Sequence, residues 1–226
     1  MSDLRAVLFD WRGTLVVCPS SNEWIRLALQ RIGRGPESAA DVWAAIEGAA
    51  GDPDRLDAPG VDCDAGVHRA AYFEVFADAG IDEELAISLY AVESDPAHNP
   101  FALDAAPVLG AIARHGVKIA VLSDIHFDLR PAFEAAGMAD MVDAYVLSFE
   151  HGVQKPDPAI FELALGYLGT EPERTLMVGD RSGPDGGAVE LGMPTLLLPP
   201  LVNVDQRRLD LAARVVGVPA APTTST

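Results

Sequence analysis

The sequence predicts an α/β protein, a parallel sheet with helices on both faces and an all-helical insertion near its start. Three observations lead there. Short apolar runs recur at residues 5–10 (RAVLFD), 118–123 (KIAVLS), 144–148 (AYVLS), 175–179 (TLMVG) and 194–198 (PTLLL). Capped helical stretches separate them. Between Val16 and about Pro100 the strand pattern stops and amphipathic helices take its place. Buried strands alternating with helices imply a parallel sheet covered on both sides.

Taken in order, the first run ends on a carboxylate, Asp10, and then Gly13-Thr14, the pattern of a buried strand breaking into a loop. Ser20 and Glu23 form a capping box ahead of Trp24, Leu27, Ala28 and Ile32, which share one helical face. Further helices fit residues 39–50, 64–79 and 83–94, with a Gly/Asp/Pro-rich loop at 51–60. Beyond the insertion, a helix over 103–115 closes at Gly116 and another over 129–136 closes at Gly137. A third, over 157–168, has Asp157 as N-cap, Pro158 at its first position and Gly169 at its end. The expected division is a core of residues 1–15 and 101–218, a helical insertion over 16–100, and a frayed Pro-rich tail over 219–226.

Of the 226 residues 49% are apolar, enough to bury a sizeable core. The longest apolar runs, such as 195–201, are broken by proline and too short to span a bilayer. The start, MSDLRAVLFD, lacks the layout of a signal peptide, so a cytoplasmic protein without a membrane partner is expected. Acidic residues outnumber basic ones 34 to 16, giving a formal charge of −18. A nucleic-acid binder needs a basic face, so no nucleic-acid partner is expected. The two cysteines, Cys18 and Cys63, have no metal-ligand spacing and are expected to be reduced, with Cys18 bordering Asp10. Nothing in the pattern reports oligomeric state.

In an open parallel sheet, ligands bind beyond the carboxyl ends of the strands. The polar residues there are Asp10 after the first strand, Ser123-Asp124 after the second and Asp180 after the fourth, with Lys155 in a loop before a helix. Each alone reads as a cap, a turn residue or a solvated charge. Together and in this order they form a set.

That set resembles the haloacid dehalogenase superfamily of hydrolases. The matching residues are FDWRGTL (9–15), VLSD (121–124), Lys155-Pro156 followed by Asp157-Pro158, and GDRSGPD (179–185). The match covers roughly residues 5–198, and the long helical stretch after the first motif corresponds to the family's inserted cap. The resemblance implies a Rossmann-like core. It implies that Asp10 attacks a phosphoryl group and forms an aspartyl-phosphate. Ser123 would donate to a phosphoryl oxygen, and Lys155 would hold Asp10 and neutralise the transferring charge. Asp10, Asp180, Asp185 and the backbone carbonyl of Arg12 would hold Mg²⁺.

Arg12 departs from the pattern. Family phosphatases carry aspartate there as general acid and base, and a guanidinium with a pKa above about 12 cannot do that work. A positioned acid–base group contributes on the order of 10²–10⁴ in rate. Three readings of Arg12 stand: a salt bridge to Asp10 or to a cap carboxylate, a bidentate contact to an anionic substrate group, or a site whose proton comes from elsewhere. For the last, Asp124 and His126 are the nearby groups, each also readable as a local cap or turn residue.

The expected function is Mg²⁺-dependent phosphoryl transfer from a small phosphorylated molecule. The alternatives are a non-catalytic Mg²⁺- and anion-binding regulatory protein on the same scaffold and, less favoured, a dehalogenase. Family dehalogenases also lack the second aspartate, but they need no metal, whereas both Asp180 and Asp185 are present. A phosphonatase mechanism needs a cap lysine; the only lysines are Lys118, which starts a strand, and Lys155. Substrate choice is expected in the cap, with Arg69, His68 and Tyr72 on one helix and Arg26 and Arg31 on another.

Overall fold

β1 (Ala6–Phe9) reads AVLF and is buried at every position, as a strand covered on both faces must be. The computed structural model describes residues 3–218, so the tail expected over 219–226 lies outside the described residues. Four helices follow β1: α1 (Ser21–Arg31), α2 (Ala39–Ala50), α3 (Ala65–Asp78) and α4 (Glu83–Glu93). The chain then alternates through α5 (Ala105–Arg114), β2 (Lys118–Ser123), α6 (Arg130–Ala135) and β3 (Ala144–Leu147). It continues with α7 (Ser148–His151), α8 (Pro158–Leu168), β4 (Thr175–Gly179), β5 (Thr195–Leu197) and α9 (Asp210–Val215). The five expected strands are all present, each within a residue or two of its expected bounds. α9 is not among the expected elements; it is only six residues long and carries no strong cap.

The strands form one sheet in the order β3-β2-β1-β4-β5. Every pairing is parallel, with Phe9 opposite Val121 of β2 and Val178 of β4. β1 is therefore central, and the residues just past β1, β2 and β4 meet at one edge. Side chains alternate across the pleat. Val7, Phe9, Ile119, Val121 and Val178 pack under Leu109 and Ile112 of α5, Phe133 of α6 and Ala212 of α9. Ala6, Leu8, Ala120, Leu122 and Met177 face Ile160, Phe161 and Ala164 of α8.

The four helices between β1 and α5 have a hydrophobic cluster of their own, with Trp24, Ile25, Leu29, Ile46, Phe76 and Leu89 buried together. α1 starts at the expected Ser20 signal, and α3 and α4 start at aspartate caps that the sequence reading did not name. The Ser20 side chain accepts from the Glu23 amide, Asp64 caps α3 and Asp82 caps α4. The Trp24 indole donates to the Leu89 carbonyl at 2.9 Å and Ser88 Oγ to the Ala28 carbonyl at 2.8 Å, fastening α1 to α4. The two connections to this helical segment run side by side, joined by a bridge between Val16 and Phe101 and by Val17 N–H donating to the Pro100 carbonyl at 2.9 Å. Among the described residues, no helix is long and apolar enough to cross a membrane.

Candidate active site

Asp10 leaves the buried end of β1, its amide donating to the Val178 carbonyl at 2.9 Å. The loop that follows needs a glycine. Gly13 has φ of 75°, and a Cβ there would collide with the Asp180 carboxylate. The turn is held from outside by Arg208, which donates to the Gly13 carbonyl at 2.6 Å and the Thr14 carbonyl at 3.1 Å. Thr14 Oγ1 in turn lies 3.4 Å from Asp180 Oδ1.

The fully buried Lys155 ammonium binds two carboxylates, Asp10 Oδ1 at 2.7 Å and Asp185 Oδ1 at 2.6 Å. The other oxygen of Asp185 accepts from the Asp180 and Arg181 amides at 3.0 and 2.9 Å, closing the loop after β4. Asp124 Oδ1 accepts from the Lys155 amide at 2.9 Å, so it positions the lysine-bearing loop, while Oδ2 is buried without a hydrogen bond among the described residues. The Ser123 hydroxyl lines the cavity above Asp10 and has no hydrogen-bond partner among the described residues.

One ammonium cannot neutralise three carboxylates in so little water. Burial, opposed by Lys155 and reinforced by Asp185, pushes Asp10 up to about 7. Asp180 is also raised, by burial first and by Asp185 second. Burial works against the Lys155 charge, but Asp10, Asp124 and Asp185 outweigh it and keep the ammonium protonated well above its usual range. Asp10, Asp180 and Asp185 each offer an oxygen within 4.8 Å of the others. That hard, oxygen-only, negatively overcharged donor set fits a divalent cation.

Arg12 does not reach Asp10. Its guanidinium forms a short ion pair with the carboxylate of Glu93, at the end of α4, and donates to the Glu93 carbonyl at 2.8 Å. Of the readings open from sequence, this is the salt bridge to a carboxylate of the helical segment. The guanidinium also lies near the rings of Trp11 and Phe127, at 5.8 and 5.6 Å from their centroids. Burial disfavours its charge, and Glu93 overrides that, so Arg12 stays protonated far above neutrality.

A cavity of about 490 Å³ opens over this site. Asp10, Arg12, Ser123, Asp124 and Asp180 line it from below, and Trp24, Trp43, Asp62, His68 and Tyr72 from the helical segment. The strand-end carboxylates, Ser123 and Lys155 are thus brought together, whereas Arg69, Arg26, Arg31 and His126 lie off the cavity wall. Arg69 is exposed, lies with its guanidinium 4.0 Å from the Phe73 ring centroid and is not on the cavity wall. Arg26 and Arg31 are likewise exposed and off the wall. His126 is buried away from the wall, its Nε2 2.9 Å from Ser94 Oγ, and burial and the neighbouring His68 lower it to about 2. Cys18 and Cys63 are free thiols, and Cys18 lines the cavity. Sequence reasoning missed Glu93, Asp62 and Arg181, which pairs with Asp57 at 3.2 Å over the cavity. Arg181 sits inside the last motif and was findable there; Glu93 and Asp62 carry no motif.

The haloacid dehalogenase-like hydrolase family matches residues 4–188. The chain belongs to this family. A curated relative, a phosphoserine phosphatase from Thermus thermophilus, is 36% identical over 87 residues, 38% of this chain and 35% of that protein. A ribulose-1,5-bisphosphate 5-phosphatase from Halopiger xanaduensis is 33% identical over 104 residues, 45% of this chain and 44% of that one. An (S)-2-haloacid dehalogenase from a Pseudomonas species is 30% identical over 94 residues, 41% of each. The aligned stretches span less than half of these relatives. A solved haloacid dehalogenase-type phosphatase from Thermococcus onnurineus shares the fold at a TM-score of 0.62 and 20% identity, covering 96% of this chain and 100% of that one. The L-2-haloacid dehalogenase of Xanthobacter autotrophicus does so at 0.64 and 25%, covering 97% and 85%. At its sheet edge this member of the family carries the residues that match the family's motifs.

Proposed function

We propose that the protein transfers a phosphoryl group from a small phosphate ester to Asp10 and then to water, with Mg²⁺ held by Asp10, Asp180, Asp185 and the Arg12 carbonyl. The observation that carries this reading is Lys155, a buried ammonium bridging Asp10 and Asp185 beside Asp180. In the first step an Asp10 oxygen bonds to phosphorus as the ester P–O bond breaks; in the second, water attacks that phosphorus and releases Asp10. Ser123, with its hydroxyl unengaged on the cavity wall, donates to a phosphoryl oxygen. Lys155 fixes the rotamer of Asp10 and balances charge as it moves onto the equatorial oxygens. When bound, Mg²⁺ supplies further charge neutralisation for the phosphoryl oxygens. The helical segment over 16–100 acts as the cap that shields these steps from bulk water, and the setting is cytoplasmic.

Arg12 is the weak point. Locked on Glu93 and permanently charged, it cannot protonate the leaving alkoxide or activate water. Turnover is therefore slow and greatest with esters whose leaving groups need no proton. The test is phosphate release from a panel of aryl and alkyl phosphates with Mg²⁺, alongside halide release from a small 2-haloacid. Release of phosphate by the wild type and its loss in Asp10→Asn support the reading. Halide release in place of phosphate, or phosphate release that survives Asp10→Asn, would sink it. No release by either protein, together with Mg²⁺-dependent anion binding, would leave the regulatory scaffold standing.

A further inference from the structure

At the edge of the cavity over Asp10, where Asp62 and His68 line it, lies a second group of ligating side chains that the phosphoryl-transfer reading does not use. Asp62 comes from a single turn (Val61–Cys63) ahead of α3, His68 from the first turn of α3, and His126 from the loop after β2. Chain segments more than 50 residues apart thus converge on one point. His68 Nε2 lies 3.7 Å from Asp62 Oδ1, and His126 Nδ1 lies 4.0 Å from the same oxygen. Ligand atoms from all three fall within 4.8 Å of one another.

The other nitrogen of each ring is already engaged. His68 Nδ1 is 3.2 Å from the Tyr90 hydroxyl and His126 Nε2 is 2.9 Å from Ser94 Oγ. Both outer partners are hydroxyls, which donate to or accept from a ring nitrogen, so the tautomer that leaves the inner nitrogen free to ligate is open to each ring. The inner nitrogen of His126 is buried and has no hydrogen-bond partner among the described residues, in a side chain only 4% exposed. The Asp62 carboxylate likewise accepts no hydrogen bond among the described residues. A histidine pair that served packing alone would leave the inner His126 nitrogen buried and unsatisfied, which is costly.

We propose that Asp62, His68 and His126 form a second metal site, separate from the acidic site at Asp10, for a borderline transition-metal ion of the Zn²⁺ type. Two imidazoles and one carboxylate select such an ion over Mg²⁺, which prefers oxygen alone. Bonds of about 2.0–2.1 Å in tetrahedral geometry put neighbouring donor atoms about 3.3 Å apart, so both histidine nitrogens, at 3.7 and 4.0 Å from Asp62 Oδ1, must draw closer to it. The two rings stack with centroids 3.4 Å apart and planes 13° from parallel, and loading must tilt them so that both lone pairs meet. Asp62 and His68 line the cavity, so the fourth position faces it and takes water or an oxygen of a bound ligand. The proposal does not depend on what Asp10 does.

The experiment is calorimetric titration of Zn²⁺ into the full-length protein in excess Mg²⁺, which saturates oxygen-only sites. One Zn²⁺ per chain is expected, with affinity falling on the order of 100-fold in both His68→Gln and Asp62→Asn. Asp62 is partly exposed, so Asp62→Asn tests the site without emptying a core. Visible absorption of the Co²⁺-loaded protein gives a second readout and should lose its tetrahedral bands in His126→Asn. Asp180→Asn and the Cys18→Ser/Cys63→Ser double variant should retain the titration. The proposal is overturned by no Zn²⁺ uptake in Mg²⁺, by uptake that persists in Asp62→Asn and His68→Gln, or by uptake lost only with the thiols.

Discussion

Lys155 holds Asp10 and Asp185 on one buried ammonium, and removing it would leave two buried carboxylates without their counter-charge. Breaking a buried ion pair from one side costs about 3–5 kcal/mol. In EDTA, Lys155→Met should lose about that much stability by urea unfolding and should regain part of it on adding Mg²⁺. A loss under 1 kcal/mol would mean that the carboxylates repartner or protonate cheaply. Arg12 sets a different problem. Arg12→Asp restores the missing acid–base group but also places a carboxylate against that of Glu93. The informative protein is therefore Arg12→Asp/Glu93→Gln, expected to raise kcat on alkyl phosphates by about 10²-fold or more over wild type. An unchanged kcat in the double variant would show that the proton is not what limits turnover. Asp10, Lys155, Asp180 and Asp185 were legible as residues because strand ends and a short loop motif place them. The pairing of Arg12 with Glu93, 81 residues away, was legible only as one of several options.

At the scale of elements, the ion pair ties the end of α4 to the loop after β1, so the helical segment is fastened to the nucleophile's own loop. Glu93→Gln removes the charge but keeps the backbone carbonyl that also binds Arg12. Amide exchange should quicken in the last turn of α4 and in residues 94–101, with β1, β2 and β4 unchanged. Uniform quickening across the sheet would instead mark a global loss of stability. Two helix starts were readable because their signals are local: Ser20 and Asp157 each accept an amide of the first turn as expected, and Asp64 and Asp82 do the same at starts that were expected without a named cap. α9 was not, because six residues hold too little periodicity, and its burial against Leu109 and Ile112 is set by the sheet beneath.

For the whole molecule, the seam between the helical segment and the sheet carries its pH dependence. His68 and His126 are held at about 3 and about 2 in the folded protein against an ordinary 6.5. Between those values the unfolded chain binds more protons, so their contribution is intact above pH 6.5 and drains away as pH falls toward 3. Asp10, raised to about 7, and Asp62, raised to about 6, act in the opposite sense, binding protons in the folded state as pH falls. A comparison isolates the histidines. In EDTA, urea midpoints measured from pH 7 to pH 5 should fall more steeply for wild type than for His68→Gln/His126→Asn. Parallel slopes would mean that the rings titrate normally where they stand.

The sequence by itself determined the α/β class, the five buried strands, the capped helices and the carboxylates and lysine at one sheet edge. Those follow from short continuous apolar runs, local caps and the rule that parallel strands present their ends to ligand, all readable over a few residues. Tertiary structure alone decided that Arg12 is spent on Glu93, that Arg69 lies off the cavity, and that Asp62, His68 and His126 meet. Each of these depends on how a helix seats on a distant loop. That placement is the sum of many apolar contacts across the fold, and no short stretch of sequence records it.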